Sequence, residues 1–322
     1  MTSPTRRVVL DCDPGHDDAM AILLAAASPA IQLEAITTVA GNQALEKTSL
    51  NARRVCSVAG IHDVPIAAGC DRPLHRAAVF AAEIHGASGL DGVDWPEPTV
   101  ALDPRHAVDL IIELADSDPR PLTIVAVGPL TNVASALERA PDIAGRIERI
   151  SIMGGAIGLG NWTPSAEFNI HADPEAAAAV IASGAPVTLV PLEVTHRALA
   201  TADVIARISA LGSPVAEMSV ALMRFFAETY ERVFGFDAPA VHDPCAVAAI
   251  IDPSIVSTRP MNVAVDIGSE LSLGRTVCDV YGTTGRPANA DVGVDLDTDR
   301  FWTLMIEALD AYSTSGADAR GS

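Results

Sequence analysis

Val8–Ala27 reads VVLDCDPGHDDAMAILLAAA. Four carboxylates, Asp11, Asp13, Asp17 and Asp18, fall within this stretch between an apolar Val8-Val9-Leu10 and the apolar run Ala19–Ala27. Pro14-Gly15 between them is a turn signal. The pattern predicts a buried strand, a tight turn and a helix opening at Asp17-Asp18. Carboxylates crowded at one strand end repel one another, and a cation would neutralise them. Helix capping alone accounts for one or two acids at a helix start; it leaves Asp13 unexplained. Oxygen-only ligands suit calcium or magnesium rather than zinc.

Outward from this stretch, apolar runs alternate with helical patterns. Strands are expected at Leu33–Val39, Val64–Ala67, Leu122–Val127, Ile147–Met153 and Val187–Val190. Helices are expected at Leu45–Ala59, Arg105–Ala115, Val133–Arg139, Ala176–Ser183, Ala202–Leu211, Pro214–Val233, Cys245–Ile251 and Arg300–Tyr312. Gly69–Pro98 and Ala156–Ala172 read as loops, and Thr258–Asp266, Arg275–Val280 and Asp291–Asp295 as a short antiparallel addition near the C-terminus. Alternating strands and helices predict an α/β fold, a mostly parallel sheet flanked by helices. No linker or repeat divides the chain, so residues 1–322 are expected to form a single domain, with an ordered core over 6–312. Met1–Thr5 reads as a loose terminus and Ser313–Ser322 as a disordered tail. In such sheets ligands bind beyond the carboxyl ends of the strands, which is where each polar cluster lies.

Composition narrows the function. Against 41 acidic residues stand 21 basic ones, a net charge of −20. Nucleic-acid binding depends on basic surface, so that class is excluded. The five cysteines, Cys12, Cys56, Cys70, Cys245 and Cys278, form no CxxC pair, which fits reduced thiols in a cytoplasm. Only three apolar residues follow Arg6-Arg7, so no signal peptide is expected. No apolar run approaches the ~20 residues that span a bilayer.

Two further constellations carry chemistry. His242-Asp243 precedes Pro244 at a helix start, as Asp13 precedes Pro14, and pairs a candidate general acid with a candidate metal ligand. Asn161, Glu167 and Asn169 sit in a glycine-rich loop, where their amides and carboxylate can bond sugar hydroxyls; a polar surface loop would have the same composition. Asn42 is equally a ligand group or one half of the turn pair Gly41-Asn42.

Seven segments in order, DCDPGHDD (11–18), TVAGN (38–42), HGASGLDG (85–92), GPLTN (128–132), MGGA (153–156), EFNIHADPE (167–175) and HDP (242–244), together resemble the inosine–uridine-preferring nucleoside hydrolases. The match runs from about Val8 to Tyr312. The resemblance implies a single α/β domain and a calcium enzyme that hydrolyses the N-glycosidic bond of ribonucleosides to ribose and free base. It implies Asp13, Asp18, Asp243 and the carbonyl of Val127 as calcium ligands. Asp17, Asn42, Asn161, Glu167 and Asn169 would hold the ribose, with Met153 beneath it, and His85, Tyr230 and His242 would face the base. A metal-held water would attack, Asp13 taking its proton and His242 acting as general acid. A homodimer or homotetramer is implied in the same way. Phe226 falls where inosine–uridine relatives carry another tyrosine, which predicts broader specificity or a preference for pyrimidines. Trp162 lies beside Asn161 and is a further candidate for the site.

Two rivals stand beside this reading. A magnesium phosphohydrolase of the haloacid-dehalogenase type needs a lysine downstream, and the one lysine, Lys47, follows the second strand too early. A nucleoside-binding protein without turnover would have no need of Asp13, Asp18, Asn169, His242 and Asp243 together.

Overall fold

The structure is a computed structural model and describes residues 5–318. It contains β1 (Arg6–Cys12), β2 (Ile31–Thr38), β3 (Ile66–Ala68), β4 (Leu122–Ala126), β5 (Ile147–Met153), β6 (Val187–Val190), β7 (Val256–Met261), β8 (Val263–Val265), β9 (Thr276–Cys278) and β10 (Ala290–Leu296). Eight of these form one sheet in the order β3-β2-β1-β4-β5-β6-β10-β7, and β8-β9 form a separate two-stranded sheet. Every pairing in the large sheet is parallel except β10 with β7.

The central strands are apolar along their whole length because helices cover both faces. All five residues of β4, LTIVA, are buried. One face packs on helices His16–Ala27, Pro214–Phe234, Pro244–Ile251 and Thr298–Asp318 through Leu10, Ile22, Leu24, Met223, Val247, Phe301 and Met305. The other packs on Ala107–Ser117, Thr131–Arg139 and Pro174–Ala182 through Val9, Ile111, Ile124, Val133, Ile150 and Val180. This is the flanked, mostly parallel sheet that the alternation predicts.

The differences from the sequence reading lie at the C-terminal side and in the loops. Of the three segments expected in an antiparallel addition, Arg275–Val280 and the second half of Thr258–Asp266 form it, as the antiparallel pair β8-β9, while the first half of Thr258–Asp266 and Asp291–Asp295 join the main sheet in β7 and β10. Gly69–Pro98 contains the short helix Ala82–His85, and Ala156–Ala172 ends in the helix Phe168–Ala172. Both are too short for a 3.6-residue period to show. The last helix runs to Asp318, so residues 313–318 are helical where a disordered tail is expected; residues 319–322 and 1–4 lie outside the described residues. All five cysteines are free. Among the described residues no helix is long and apolar enough to cross a membrane.

The strand order places the site. From β1 the chain builds outward through β2 and β3, then returns to lay β4 on the other side of β1. The crevice between β1 and β4 is therefore the switch point, where strand ends diverge and a ligand can enter. Asp13 follows β1, and Val127-Gly128 follows β4.

Candidate active site

At that crevice Asp17, Asp18 and Asp243, all buried, bring one carboxylate oxygen each within 4.8 Å of the others. Asp18 is fixed by its neighbours: Oδ1 accepts the N–H of Asp13 (3.0 Å), and Oδ2 accepts those of Gly15 (2.9 Å) and Asn42 Nδ2 (3.2 Å). Asp17 Oδ2 accepts the N–H of His242 (3.3 Å), which joins the first helix to the segment entering Pro244–Ile251. Asp13 stands beside this group. Its Oδ2 accepts the N–H of Asn42 (2.6 Å), and its buried Oδ1 has no hydrogen-bond partner among the described residues. The loops press close: a Cβ added at Gly128 would stand 2.5 Å from Asp13 Oδ1, and one at Gly41 would run into Oδ2.

Burial and then mutual repulsion raise these acids. Burial and the charge of Asp18 push Asp17 up to about 8 and Asp13 well above the usual carboxylate range. Burial together with Asp17, Asp18 and Asp13 does the same to Asp243. Buried like charges of this kind are stabilised by a cation among them. All-oxygen donors, an orphaned carboxylate oxygen and a tight glycine-walled cradle fit a hard divalent ion. The sequence reading set Asp17 on the ribose; the structure sets it in the carboxylate cluster as well as on the cavity wall.

A cavity of about 230 Å³ opens onto the cluster. Asp17, Asn42, His85, Val127, Met153, Asn161, Glu167, Asn169, Tyr230, His242 and Asp243 line it, while Asp13 and Asp18 are buried beside it. Glu167 caps the helix Phe168–Ala172, Oε1 accepting the N–H of Asn169 (2.9 Å) and Oε2 those of Gly155 (2.9 Å) and Ile170 (3.1 Å). Burial pushes Glu167 up to about 7. Asn169 Nδ2 donates to the carbonyls of Val127 (2.8 Å) and Met153 (3.2 Å). Its own oxygen is thereby turned away from those carbonyls and left available as an acceptor. Asn161 Oδ1 accepts from Phe168 N–H (3.0 Å), which leaves its NH₂ as a donor.

The other wall is aromatic. His16, Phe225, Phe226 and His85 stack with centroids 5.1–5.3 Å apart. His16 Nε2 donates to the carbonyl of Asp91 (2.9 Å), and the Nδ1 atoms of His16 and His85 meet at 3.1 Å. Tyr230 hydroxyl meets His242 Nε2 at 2.5 Å, and Thr195 hydroxyl meets His242 Nδ1 at 2.7 Å. Burial, then the nearby His196, lowers His242 to about 3, so its resting form near neutrality is the uncharged ring. Phe226 and Trp162 also line the cavity. His16, Thr195 and Phe234 escape the sequence reading: His16 sits inside the motif as its variable position, and nothing around Thr195 or Phe234 marks them. Asp11, the fourth acid of the opening stretch, stands apart as scaffold, its Oδ1 accepting from Thr37 hydroxyl (2.6 Å) and Asn132 Nδ2 (2.8 Å).

The family model "Inosine-uridine preferring nucleoside hydrolase" matches residues 8–303. The pyrimidine-specific ribonucleoside hydrolase RihB of Shigella sonnei (strain Ss046) is 45% identical over 95% of this chain and 98% of its own length. RihB of Escherichia coli (strain K12) matches with the same identity and coverage. Among solved structures, the purine-preferring ribonucleoside hydrolase from Gardnerella vaginalis superposes with a TM-score of 0.90 at 32% identity, covering 96% of this chain and 100% of that one.

Proposed function

The chain belongs to the inosine-uridine preferring nucleoside hydrolase family and is a ribonucleoside hydrolase, and on that premise we propose that it is a calcium enzyme acting preferentially on pyrimidine ribonucleosides. The observation that carries the reading is the buried carboxylate triad at the end of a cavity walled by hydroxyl-binding groups. Asp13, Asp18, Asp243 and the Val127 carbonyl would hold the ion, and Asp17, on the cavity wall, would hold the ribose. Calcium bound there would supply charge neutralisation and Lewis acidity toward a water and the ribose hydroxyls.

The residues of the chain do the rest. Asp17, Asn42, Asn161, Glu167 and Asn169 orient the ribose over Met153. Breaking a ribosyl C–N bond builds positive charge on the sugar, and fixed carboxylates and amide oxygens stabilise that charge. Asp13 Oδ1, which meets no donor among the described residues, accepts the proton of the attacking water. The base leaves toward His85, Tyr230 and His242. Negative charge grows on it, and the Tyr230–His242 pair assists its departure. The neutral His242 ring makes this assistance hydrogen-bonding in its resting form.

Pyrimidine preference rests on the name of the 45%-identical relatives and on Phe226, which supplies no hydroxyl to a purine edge. Calcium rather than another hard ion and a homodimer or homotetramer rest on family likeness, and a cytoplasmic location rests on the five unpaired cysteines. Reducing-sugar release from uridine, cytidine, inosine and adenosine with calcium present tests the reading. Uridine and cytidine are expected to react at least about tenfold faster, a difference of ~1.4 kcal/mol in barrier. A faster inosine would reverse the preference, and no release from any of the four would sink the hydrolase.

A further inference from the structure

His242 has two ring nitrogens and two hydroxyl neighbours. Thr195 lies on the short helix Leu192–Thr195, just past the carboxyl end of β6, and its N–H is tied to the carbonyl of Pro191 (3.1 Å). Its hydroxyl is fully buried and meets only His242 Nδ1 among the described residues. Among the described residues Tyr230 hydroxyl meets only His242 Nε2, but it belongs to a side chain that lines the substrate cavity.

A hydroxyl carries one hydrogen, and a buried one must find an acceptor. If His242 carried hydrogen on Nδ1, as the other tautomer or as imidazolium, Thr195 would have to accept there. Its own hydrogen would then be buried with no acceptor. If Nδ1 is bare, Thr195 donates to it and every buried hydrogen is satisfied. Nε2 then carries the hydrogen and donates to the Tyr230 oxygen. The Tyr230 hydrogen is displaced from His242 and turns to the cavity, where substrate or water accepts it. Of the two hydroxyl hydrogens competing for one imidazole, the one without an alternative takes it.

Building on the leaving-group role given above to the Tyr230–His242 pair, we propose that Thr195 is a positioning residue that sets the His242 tautomer, so that Tyr230 O–H is the donor meeting the departing base. The chain Thr195→His242→Tyr230→base has all its donors facing outward, an order in which each hydrogen bond polarises the next. No bond to hydrogen breaks in it. It offers the base a strengthened hydrogen bond at the atom where negative charge develops. His196, edge-on to His242 at 5.5 Å between ring centroids, and Tyr230 pack against the same ring and hold its plane.

Nitrogen NMR of the enzyme labelled with ¹⁵N-histidine reads the tautomer directly, the His242 signals being assigned by their loss in His242→Gln. The hydrogen is expected on Nε2, with Nδ1 bare; a hydrogen on Nδ1 overturns the proposal without any variant of Thr195. Thr195→Val keeps the shape and removes the hydroxyl. It is expected to lower kcat on uridine about tenfold or more, with KM within about twofold and 4-nitrophenyl riboside unaffected, since that leaving group needs no donor. Thr195→Ser is expected to restore the uridine rate. Full activity in Thr195→Val, or equal losses on both substrates, also overturns it. A Tyr230→Phe enzyme that keeps its uridine rate instead sinks the leaving-group role of the pair, whatever tautomer the spectrum shows.

Discussion

Asp243→Asn is expected to cost about a thousandfold or more in turnover and yet to melt higher than the unaltered protein when a chelator is present. Both effects come from one site. Asp243 shares a buried cluster with Asp17 and Asp18, and Asp13 adds its charge nearby. With a cation bound, each carboxylate contributes attraction, and losing one weakens the ion and everything it organises. A thousandfold corresponds to ~4 kcal/mol of barrier. Without a cation the same carboxylates only repel, at a burial that raises all of them. An amide of the same shape relieves that repulsion by roughly 1 kcal/mol, or about 2 °C in Tm for a chain of this size. With calcium the order reverses, because ligand binding stabilises the unaltered protein by ~2.7 kcal/mol at a hundredfold excess over Kd. Calorimetric melts of both proteins, with chelator and with calcium, give four values. Equal melting under chelator, or an identical rise with calcium, contradicts the assignment of Asp243 to the ion.

His242→Ala is expected to slow nucleoside hydrolysis by ~10²–10⁴-fold, the usual range for help given to a leaving group. The substitution removes the ring between Thr195 and Tyr230, so neither hydroxyl can act on the base through it. The backbone N–H of residue 242 still reaches Asp17, so calcium affinity is expected to hold. 4-Nitrophenyl riboside is expected to react at nearly the full rate. Equal losses on uridine and on the activated riboside, or a calcium affinity that falls with the rate, would remove His242 from this role.

Much of this was legible because it rests on short-range rules. Leu45–Ala59, Ile147–Met153 and Val187–Val190 form as helix and strands with the bounds read from the sequence, since their apolar periods are strong. The convergence of Asp13, Val127 and Glu167 follows from one rule about strand ends, whereas His242 is brought to them by the helix Pro244–Ile251, which no strand of the sheet directly precedes. What was not legible depends on contacts distant in sequence. Nothing in Asp291–Asp295 tells that β10 inserts between β6 and β7. The helix Phe168–Ala172 has five residues, and its Glu167 cap reads equally as a ligand. Asp17 was separated from the metal ligands by family likeness, whereas spacing along one turn cannot fix which oxygens converge. Thr195 gives no signal at all, because its role depends on what lies across from it and on having no other acceptor.

The bond from His242 N–H to Asp17 closes a separation of 225 residues, and Asp243 completes the carboxylate cluster at the same crossing. An ion held there ties the first helix to a segment that emerges from synthesis long afterwards. It cannot nucleate folding, since its ligands meet only after the sheet between them is built; it acts as a late clasp. Interactions absent from the folding transition state alter unfolding rather than folding rates. Calcium is therefore expected to slow unfolding in denaturant jumps while leaving the refolding rate nearly unchanged, and a large acceleration of refolding would place the clasp early instead. An ion proposed to serve catalysis would then also set how long the native chain persists.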